Sequence, residues 1–279
     1  MSRFVYLLAE GVHDVAFLGR VLVVCFCGQR VRNLKGLDEP RRQWLQSFKW
    51  PIADQIDRLS VPAPVVYRLE NGDTWACLRS AEGVSRIADT LADDLDRLSK
   101  ISSTPDAIGI ILDSDAKTPD ARLGELRTAI DEELGLHLPA SLGQVSTGVP
   151  RIGVFSLPAP NQPGTLEDVL LPLGKRAYPA LYDASLKYVD GVASGIDLRA
   201  PKELKELGKP AGRKKAIVGA MTAILKPGKA TQVSIEDNRW ISEETKLDAS
   251  LADCLKFLEK VMSQPTSAPS PTGVPLGST

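Results

Sequence analysis

An uninterrupted apolar run that ends in two acids constrains the fold of this chain more than any other stretch. Residues 107–115 read Ala-Ile-Gly-Ile-Ile-Leu-Asp-Ser-Asp, with five apolar residues among the first six and no alternation with polar ones. Such a run predicts a strand that is buried on both faces of a parallel sheet. Asp113 and Asp115 stand where the chain leaves the sheet, so we expect their carboxylates in the crevice at the strand ends, where α/β proteins bind ligands. Two neighbouring acids in that crevice favour a hard divalent cation such as Mg²⁺ or Mn²⁺.

Composition narrows the class of protein. A chain of 279 residues with 43% hydrophobic content is long enough for one substantial α/β core. A net charge of −1 gives no general attraction to nucleic acid, so such binding would have to rest on local basic patches. Four cysteines without a CxxC pair, and only two histidines, argue against a zinc site. Because there is no N-terminal signal pattern and no apolar run long enough for a bilayer, we expect a cytoplasmic protein without membrane contact.

A second strand is predicted near the N-terminus, at residues 4–9, and apolar residues at helical spacing follow it. Glu10 then stands at the carboxyl end of this strand. Asp14 stands in the first turn of the helix, where the helix dipole favours an acid. Each also has an ordinary interpretation, Asp14 as a helix-start residue and Glu10 as a surface acid, and the residues alone leave both open.

Further strands and helices alternate along the chain, which is typical of an α/β protein. Strands are predicted at 65–69 and 151–157, and helices at 80–98 and 119–134. Pro119 suits the first position of the latter helix.

A third group of acids follows the strand at 151–157 and a turn-rich loop. Glu167 and Asp168 are set between apolar neighbours, so at least one of them must face a cavity, a cation or, as the ordinary alternative, solvent. All three groups of acids would thus lie at the carboxyl ends of strands of one sheet. Several carboxylates gathered there could hold one or two cations that stabilise the attacking and leaving oxygens of a phosphoryl transfer.

Two segments are candidates for contact with nucleic acid. Residues 28–64 lengthen the first crossover and mix Trp44, Phe48 and Trp50 with arginine and lysine, but a helix with one apolar side explains them more simply. Residues 202–229 hold eight basic residues against two acidic ones. This second segment contains the best phosphate-contacting candidates, although a charge run is often only a solvated helix face. The candidates are Arg213, Lys214 and Lys215.

The C-terminal third is predicted to be helical and to end in a helix over 247–261, followed by a tail rich in Pro, Ser, Thr and Gly. We therefore expect a catalytic domain at 1–172, with an insertion at 28–64. A helical, basic C-terminal region would occupy 173–262, and a disordered tail 263–279.

The ordered motifs resemble the Toprim superfamily, the catalytic fold shared by topoisomerases, bacterial primases and OLD-type nucleases. Within it the chain is similar to small stand-alone Toprim-like proteins and to the nuclease part of OLD proteins, over residues 2–171. The resemblance implies a Toprim-like, Rossmann-like parallel sheet flanked by helices, with a helical C-terminal extension. The motifs that carry it are Leu-Leu-Ala-Glu10-Gly11-Val-His-Asp14, Ile-Ile-Leu-Asp113-Ser-Asp115 and Gly164-Thr-Leu-Glu167-Asp168-Val-Leu-Leu.

The resemblance also implies roles for these acids. Asp113 and Asp115 would bind metal, and Glu10 would be a further ligand or a general acid/base. Asp14 and Glu167 would bind a second cation, with Asp168 as a helper. The implied cofactor is one or two Mg²⁺ or Mn²⁺ ions, and Lys117 joins the basic candidates for contact with phosphate.

The function that follows is a Mg²⁺-dependent endonuclease acting on DNA or RNA, an effector of anti-phage defence or of a toxin-like system. No Gly-x-x-x-x-Gly-Lys-Ser/Thr motif is present, so an OLD-like nuclease would take its ATPase from a separate protein. Two alternatives stay open, a catalytically idle Toprim subunit that binds partners and a primase-like nucleotidyl transferase. A homodimer is also left open.

Overall fold

The protein, in a computed structural model, is described over residues 2–48, 64–70, 73–195 and 204–264. The strands in these ranges form one six-stranded sheet at the centre of an α/β fold. They are β1 (Arg3–Ala9), β2 (Gln29–Val31), β3 (Val65–Arg68), β4 (Thr74–Ser80), β5 (Ala107–Asp113) and β6 (Arg151–Leu157). Their order across the sheet is β2-β3-β4-β1-β5-β6.

The sheet is mixed: four of its strands have the predicted parallel arrangement, and two form an antiparallel edge that the sequence pattern did not predict. β4, β1, β5 and β6 run parallel, as the continuous apolar runs of β1, β5 and β6 indicate. β3 is antiparallel to β4, and β2 is antiparallel to β3. The cause is the connection between β3 and β4, which is far too short for the crossover that a parallel pair needs.

The sequence pattern missed β4 and placed the following helix too early. β4 is a central strand of seven residues, and Arg79 interrupts its apolar run. It therefore shows neither the continuous apolar run of a fully buried strand nor the strict alternation of a half-buried one. The helix predicted from residue 80 begins at Ile87, after a short 3₁₀ turn at Val84–Arg86.

The helices in the described ranges cover both faces of the sheet, and none of them combines the length and the apolar character needed to cross a bilayer. They are α1 (Val12–Cys25), α2 (Glu39–Gln46), α3 (Ile87–Ser99), α4 (Pro119–Leu134), α5 (Leu166–Ala177), α6 (Pro179–Gly195), α7 (Pro210–Leu225), α8 (Thr231–Asp237) and α9 (Ala249–Met262).

The starts of two helices show how the local sequence sets them. Thr118 caps α4, with its hydroxyl accepting a hydrogen bond from the Ala121 N–H at 3.3 Å, and Pro119 takes the first position as predicted. α9 begins at Ala249, after the predicted residue 247, because Asp248 is its N-terminal cap. The Asp248 carboxylate accepts a hydrogen bond from the Ser250 N–H at 3.0 Å. Leu247 therefore lies outside the helix and is 84% exposed.

Two hydrophobic cores lie on opposite faces of the sheet. α1, α5, α7 and α9 pack on one face, and α2, α3 and α4 pack on the other. The C-terminal helices therefore share a core with the sheet. The helix that follows β1 and the helix that follows β5 lie on opposite faces, so the carboxyl ends of these neighbouring strands open into a crevice of the kind where α/β proteins bind ligands.

Trp44 and Phe48, the described aromatic residues among the three singled out in the 28–64 insertion, pack in the hydrophobic core. Trp44 is buried, and its ring lies 5.8 Å from that of Phe4 and 5.7 Å from that of Phe48. This agrees with the simple interpretation of a helix with one apolar side. Trp50 falls outside the described residues, as does the predicted disordered tail except Ser263 and Gln264.

Candidate metal centre

The predicted acids lie at the carboxyl ends of three neighbouring strands. Glu10 directly follows β1, Asp113 is the last residue of β5, and Glu167 is the second residue of α5, which follows β6. β1, β5 and β6 are adjacent in the sheet. The topology therefore brings acids that are far apart in sequence to one edge of the sheet.

Asp113 connects the three strand ends. Its backbone N–H donates to Glu10 Oε2 at 3.2 Å. Its own Oδ1 accepts a hydrogen bond from the backbone N–H of Leu166, the first residue of α5, at 2.9 Å. The N-terminus of α5 thus points a backbone donor at the central acid of the group, which stabilises negative charge there.

Asp14 caps α1 and also belongs to the acidic group. Its Oδ2 accepts a hydrogen bond from the Gly11 N–H at 2.8 Å, as expected of a helix-start residue. Asp14 is nevertheless only 6% exposed, and both Glu10 and Glu167 are close enough to raise its pKa, in addition to the larger effect of burial. Asp14 therefore both caps α1 and belongs to the acidic group.

Asp115 leaves the strand in an uncommon backbone conformation. Its φ is +52°, in the left-handed region that aspartate tolerates better than most residues. Its N–H donates to the Gly164 carbonyl at 2.8 Å, and its Oδ2 accepts a hydrogen bond from Arg122 Nη2 at 2.9 Å. Its side chain is about half exposed, so Asp115 forms the solvent side of the group.

The third motif separates its two acids. Glu167 is buried, and its Oε2 accepts a hydrogen bond from the Thr165 hydroxyl at 2.7 Å, so solvent is not its environment. Asp168 accepts from the Thr165 N–H at 3.0 Å with one oxygen and from Lys214 Nζ at 2.5 Å with the other. Gly164 has a φ of +151°, and a Cβ there would lie 2.7 Å from Asp168 Oδ2, so glycine alone fits this turn.

Five of the carboxylates share one arrangement. A protein donor holds one oxygen of each, and the second oxygen accepts no hydrogen bond from the part of the chain that the structure describes. Asp168 differs, because both of its oxygens are engaged. The held oxygens are Glu10 Oε2, Asp14 Oδ2, Asp113 Oδ1, Asp115 Oδ2 and Glu167 Oε2.

Burial and mutual repulsion disfavour negative charge in this group. Burial, followed by Asp14, Glu10 and the other two acids, raises the pKa of Asp113 to about 9. Burial raises the pKa of Asp14 to about 7 and also raises that of Glu10. Among the described residues, no group of three or more acids, histidines or cysteines is arranged so that it could hold a metal ion without a movement of side chains. The site is therefore a charged cluster with available oxygens.

The basic candidates of α7 stand beside these acids in two of three cases. Lys214 forms the ion pair with Asp168, and Lys215 is near enough to lower the pKa of Glu10 against the larger, opposite effect of burial. Arg213 instead pairs with Asp190 of α6 at 2.6 Å. The sequence pattern thus located the basic segment but could not tell which side chains face the acids.

On the other side of the crevice, Lys117 pairs with Glu125 at 2.5 Å.

The sequence pattern did not reveal two residues of the site. Arg122 lies seven positions after Asp115 in α4, with no motif to mark it. Thr165 could have been found, because Thr-x-x-Asp before an apolar run is close to a capping box.

Comparisons with known proteins identify a family and a fold. Residues 5–262 match the protein family described as "Protein of unknown function (DUF3226)". No curated protein matches the chain. A solved structure with a similar fold is the crystal structure of hypothetical protein PH0156 from Pyrococcus horikoshii OT3, which is 16% identical with a TM-score of 0.51. The match covers 93% of this chain and 95% of that chain, so the likeness in fold extends over nearly all of both.

Proposed function

Because the chain belongs to the DUF3226 family, whose description names no activity, we propose a function from its own acidic site: it is a Mg²⁺- or Mn²⁺-dependent nuclease that cleaves phosphodiester bonds in DNA or RNA. The resemblance of its three motifs to Toprim nucleases supports this choice.

One observation carries the proposal. Five carboxylates at one sheet edge each keep an oxygen that accepts no hydrogen bond from the described residues, in surroundings that raise the pKa of at least three of them. Grouping buried acids costs stability unless a cation compensates them, and oxygen ligands of this kind suit Mg²⁺ or Mn²⁺. A bound divalent cation would stabilise charge on the reacting phosphate oxygens. The residues that would hold it are Glu10, Asp14, Asp113, Asp115 and Glu167.

The chain's own residues supply the rest of the chemistry. As the alternative to binding the cation, Glu10, whose pKa is raised by burial, is suited to accept a proton from an attacking water. Lys215 beside Glu10, and Lys214 beside Asp168, are suited to neutralise backbone phosphates and to orient the strand across the crevice. Lys117 would do the same on the opposite side.

The biological setting belongs to the same proposal and rests on analogy. The protein would act in the cytoplasm, as an effector of anti-phage defence or of a toxin-like system, with a separate ATPase. A catalytically idle Toprim subunit is the main alternative. The available oxygens argue against it, since an idle site gains nothing from keeping five acids together. No separate feature favours the nucleotidyl transferase.

The test is a cleavage assay on a panel of substrates. Purified protein is incubated with plasmid DNA, single-stranded DNA, transfer RNA and total RNA, with Mg²⁺, with Mn²⁺ or with a chelator. We expect cleavage of at least one substrate with either cation and none with the chelator. If no substrate is cut with either cation while the protein is folded, the idle-subunit alternative becomes the better account.

The lysines of α7 give a separate prediction. Replacing Lys214 and Lys215 together by alanine should weaken binding to all nucleic-acid sequences alike, because lysine contacts phosphate rather than bases. The slope of log affinity against log salt should fall in magnitude by about 2, near one for each lost contact. Binding is measured by fluorescence anisotropy in chelator, which prevents cleavage.

The matched control replaces Lys100 and Lys260 by alanine. Both are exposed. Lys100 stands between the end of α3 and the start of β5, and the Lys260 carbonyl accepts a hydrogen bond from Arg151, the first residue of β6, so both lie toward the amino ends of the strands, opposite to the acids. This control should keep the wild-type affinity and salt slope. An equal loss in both double variants would mean that general charge, and not the crevice, governs binding.

A further inference from the structure

We infer that Arg122 is a positioning residue for the proposed metal site: it holds one oxygen of Asp115 and thereby keeps the other free for a divalent cation. The inference deepens the proposed function and rests on its metal site. It concerns a residue that no sequence motif marks.

The contacts of Arg122 are those of a fixed group. Its side chain is only 6% exposed, with Nη2 donating to Asp115 Oδ2 at 2.9 Å and Nη1 to Glu125 Oε2 at 3.3 Å. Its Nε is buried and has no hydrogen-bond partner among the described residues. A guanidinium is costly to bury, so both ion pairs are needed to keep Arg122 in place.

Asp115 depends on this contact more than the other four acids depend on theirs. The other four are partly or fully buried and are held by backbone N–H groups or by a hydroxyl. Asp115 is the exposed member, on a turn with a left-handed φ. Without Arg122 its side chain would be free to populate several rotamers, and a cation would bear the entropy cost of ordering it.

The charge of Arg122 is offset, which matters because a lone cation would repel a metal ion. Glu125 accepts from Arg122 with one oxygen and from Lys117 with the other, which fixes it from both sides. Arg122 therefore lies between two carboxylates, those of Asp115 and Glu125, which together offset its positive charge. Donors of this kind, which orient a ligand carboxylate, typically change metal affinity by about 10–100-fold.

A rival explanation is that Arg122 forms a buried ion pair that only stabilises the start of α4. The two explanations differ in what happens to metal affinity in the folded protein. A purely structural pair changes the melting temperature alone, whereas a positioning residue changes metal affinity as well.

The experiment removes the pair without changing net charge. The double variant Arg122→Met, Glu125→Gln loses the contact to Asp115 but leaves the total charge of the helix as it was. The matched control, Arg127→Met with Asp131→Asn, makes the same change later in α4, where these side chains contact the 138–140 segment. Mn²⁺ binding is measured by isothermal titration calorimetry below the melting temperature of each variant.

We expect the Arg122/Glu125 variant to bind Mn²⁺ about 10–100-fold more weakly, and the control to bind it as wild type does. Arg122→Lys, with Glu125 intact, should recover part of the affinity. Unchanged Mn²⁺ affinity in a folded Arg122/Glu125 variant would overturn the inference, even if its melting temperature fell. If wild type binds Mn²⁺ but cuts no nucleic acid, the nuclease proposal fails and the role of Arg122 stands. If wild type binds no Mn²⁺, both fail.

Discussion

Asp113→Asn is expected to reduce Mg²⁺-dependent cleavage by at least about 100-fold, the scale on which a single group that stabilises transition-state charge contributes. Asp113 is the central acid of the site, since its backbone N–H holds Glu10 and its Oδ1 binds the N-terminus of α5. Asparagine keeps the Oδ1 acceptor for Leu166 and the shape of the side chain. It loses the negative charge and the second carboxylate oxygen, which are what a divalent cation requires.

The apo fold should survive this change and gain stability. The pKa of Asp113 is raised to about 9, so near neutral pH this side chain must take up a proton when the chain folds, and asparagine avoids that cost. The matched control is Asp120→Asn, an exposed position in the first turn of α4. Control and wild type should cleave equally. Cleavage by Asp113→Asn at the wild-type rate would show that the acidic group is not the catalytic site.

The second large effect concerns stability and pH in the absence of metal. The pKa of Asp113 is raised to about 9 and that of Asp14 to about 7, from ordinary values near 4. At pH values between the ordinary pKa and the raised pKa of each acid, the folded state binds more protons than the unfolded state. The free energy of unfolding must therefore fall as pH rises through this range. The slope can reach about 1.4 kcal/mol per pH unit for each such proton.

The measurement is denaturant unfolding of metal-free wild type and Asp113→Asn between pH 5 and pH 9. The variant lacks one of these protons, so its stability should fall less steeply, and the gap in its favour should widen with pH. Titrating groups outside the acidic group are common to both proteins and cancel in the difference. Adding Mg²⁺ at pH 8 should raise the stability of wild type more than that of the variant. If the free energies of unfolding of wild type and variant fell with the same slope against pH, the pKa of Asp113 would not be raised in the folded protein.

Much of the site could be predicted because its signals are local. Glu10 and Asp113 stand at the ends of apolar runs, and Glu167 follows a third run after a turn-rich loop. Parallel strands bring their carboxyl ends to one edge, so the order of the motifs was enough to predict that Glu10, Asp113 and Glu167 lie together. Local sequence also fixed the start of α4 through Thr118 and Pro119.

The remainder depended on contacts that the sequence does not record. The antiparallel edge of the sheet follows from one short connection after β3, and β4 lacks a clear period because Arg79 interrupts it. Within the described part of the chain, both oxygens of Asp168 accept hydrogen bonds and only one oxygen of Glu167 does, and this difference depends on Lys214 of α7. The contact of Arg122 with Asp115 is likewise a product of the left-handed turn that precedes α4.

The central claim is that the five carboxylates hold a divalent cation. Diffraction from crystals grown or soaked in Mn²⁺, with data collected for the anomalous signal of manganese, tests it most directly. We predict an anomalous peak in the crevice between Glu10 and Asp113, bonded to carboxylate oxygens of both, and its loss in crystals of Asp113→Asn. Crystals saturated with Mn²⁺ that show no peak among these five acids would contradict the account.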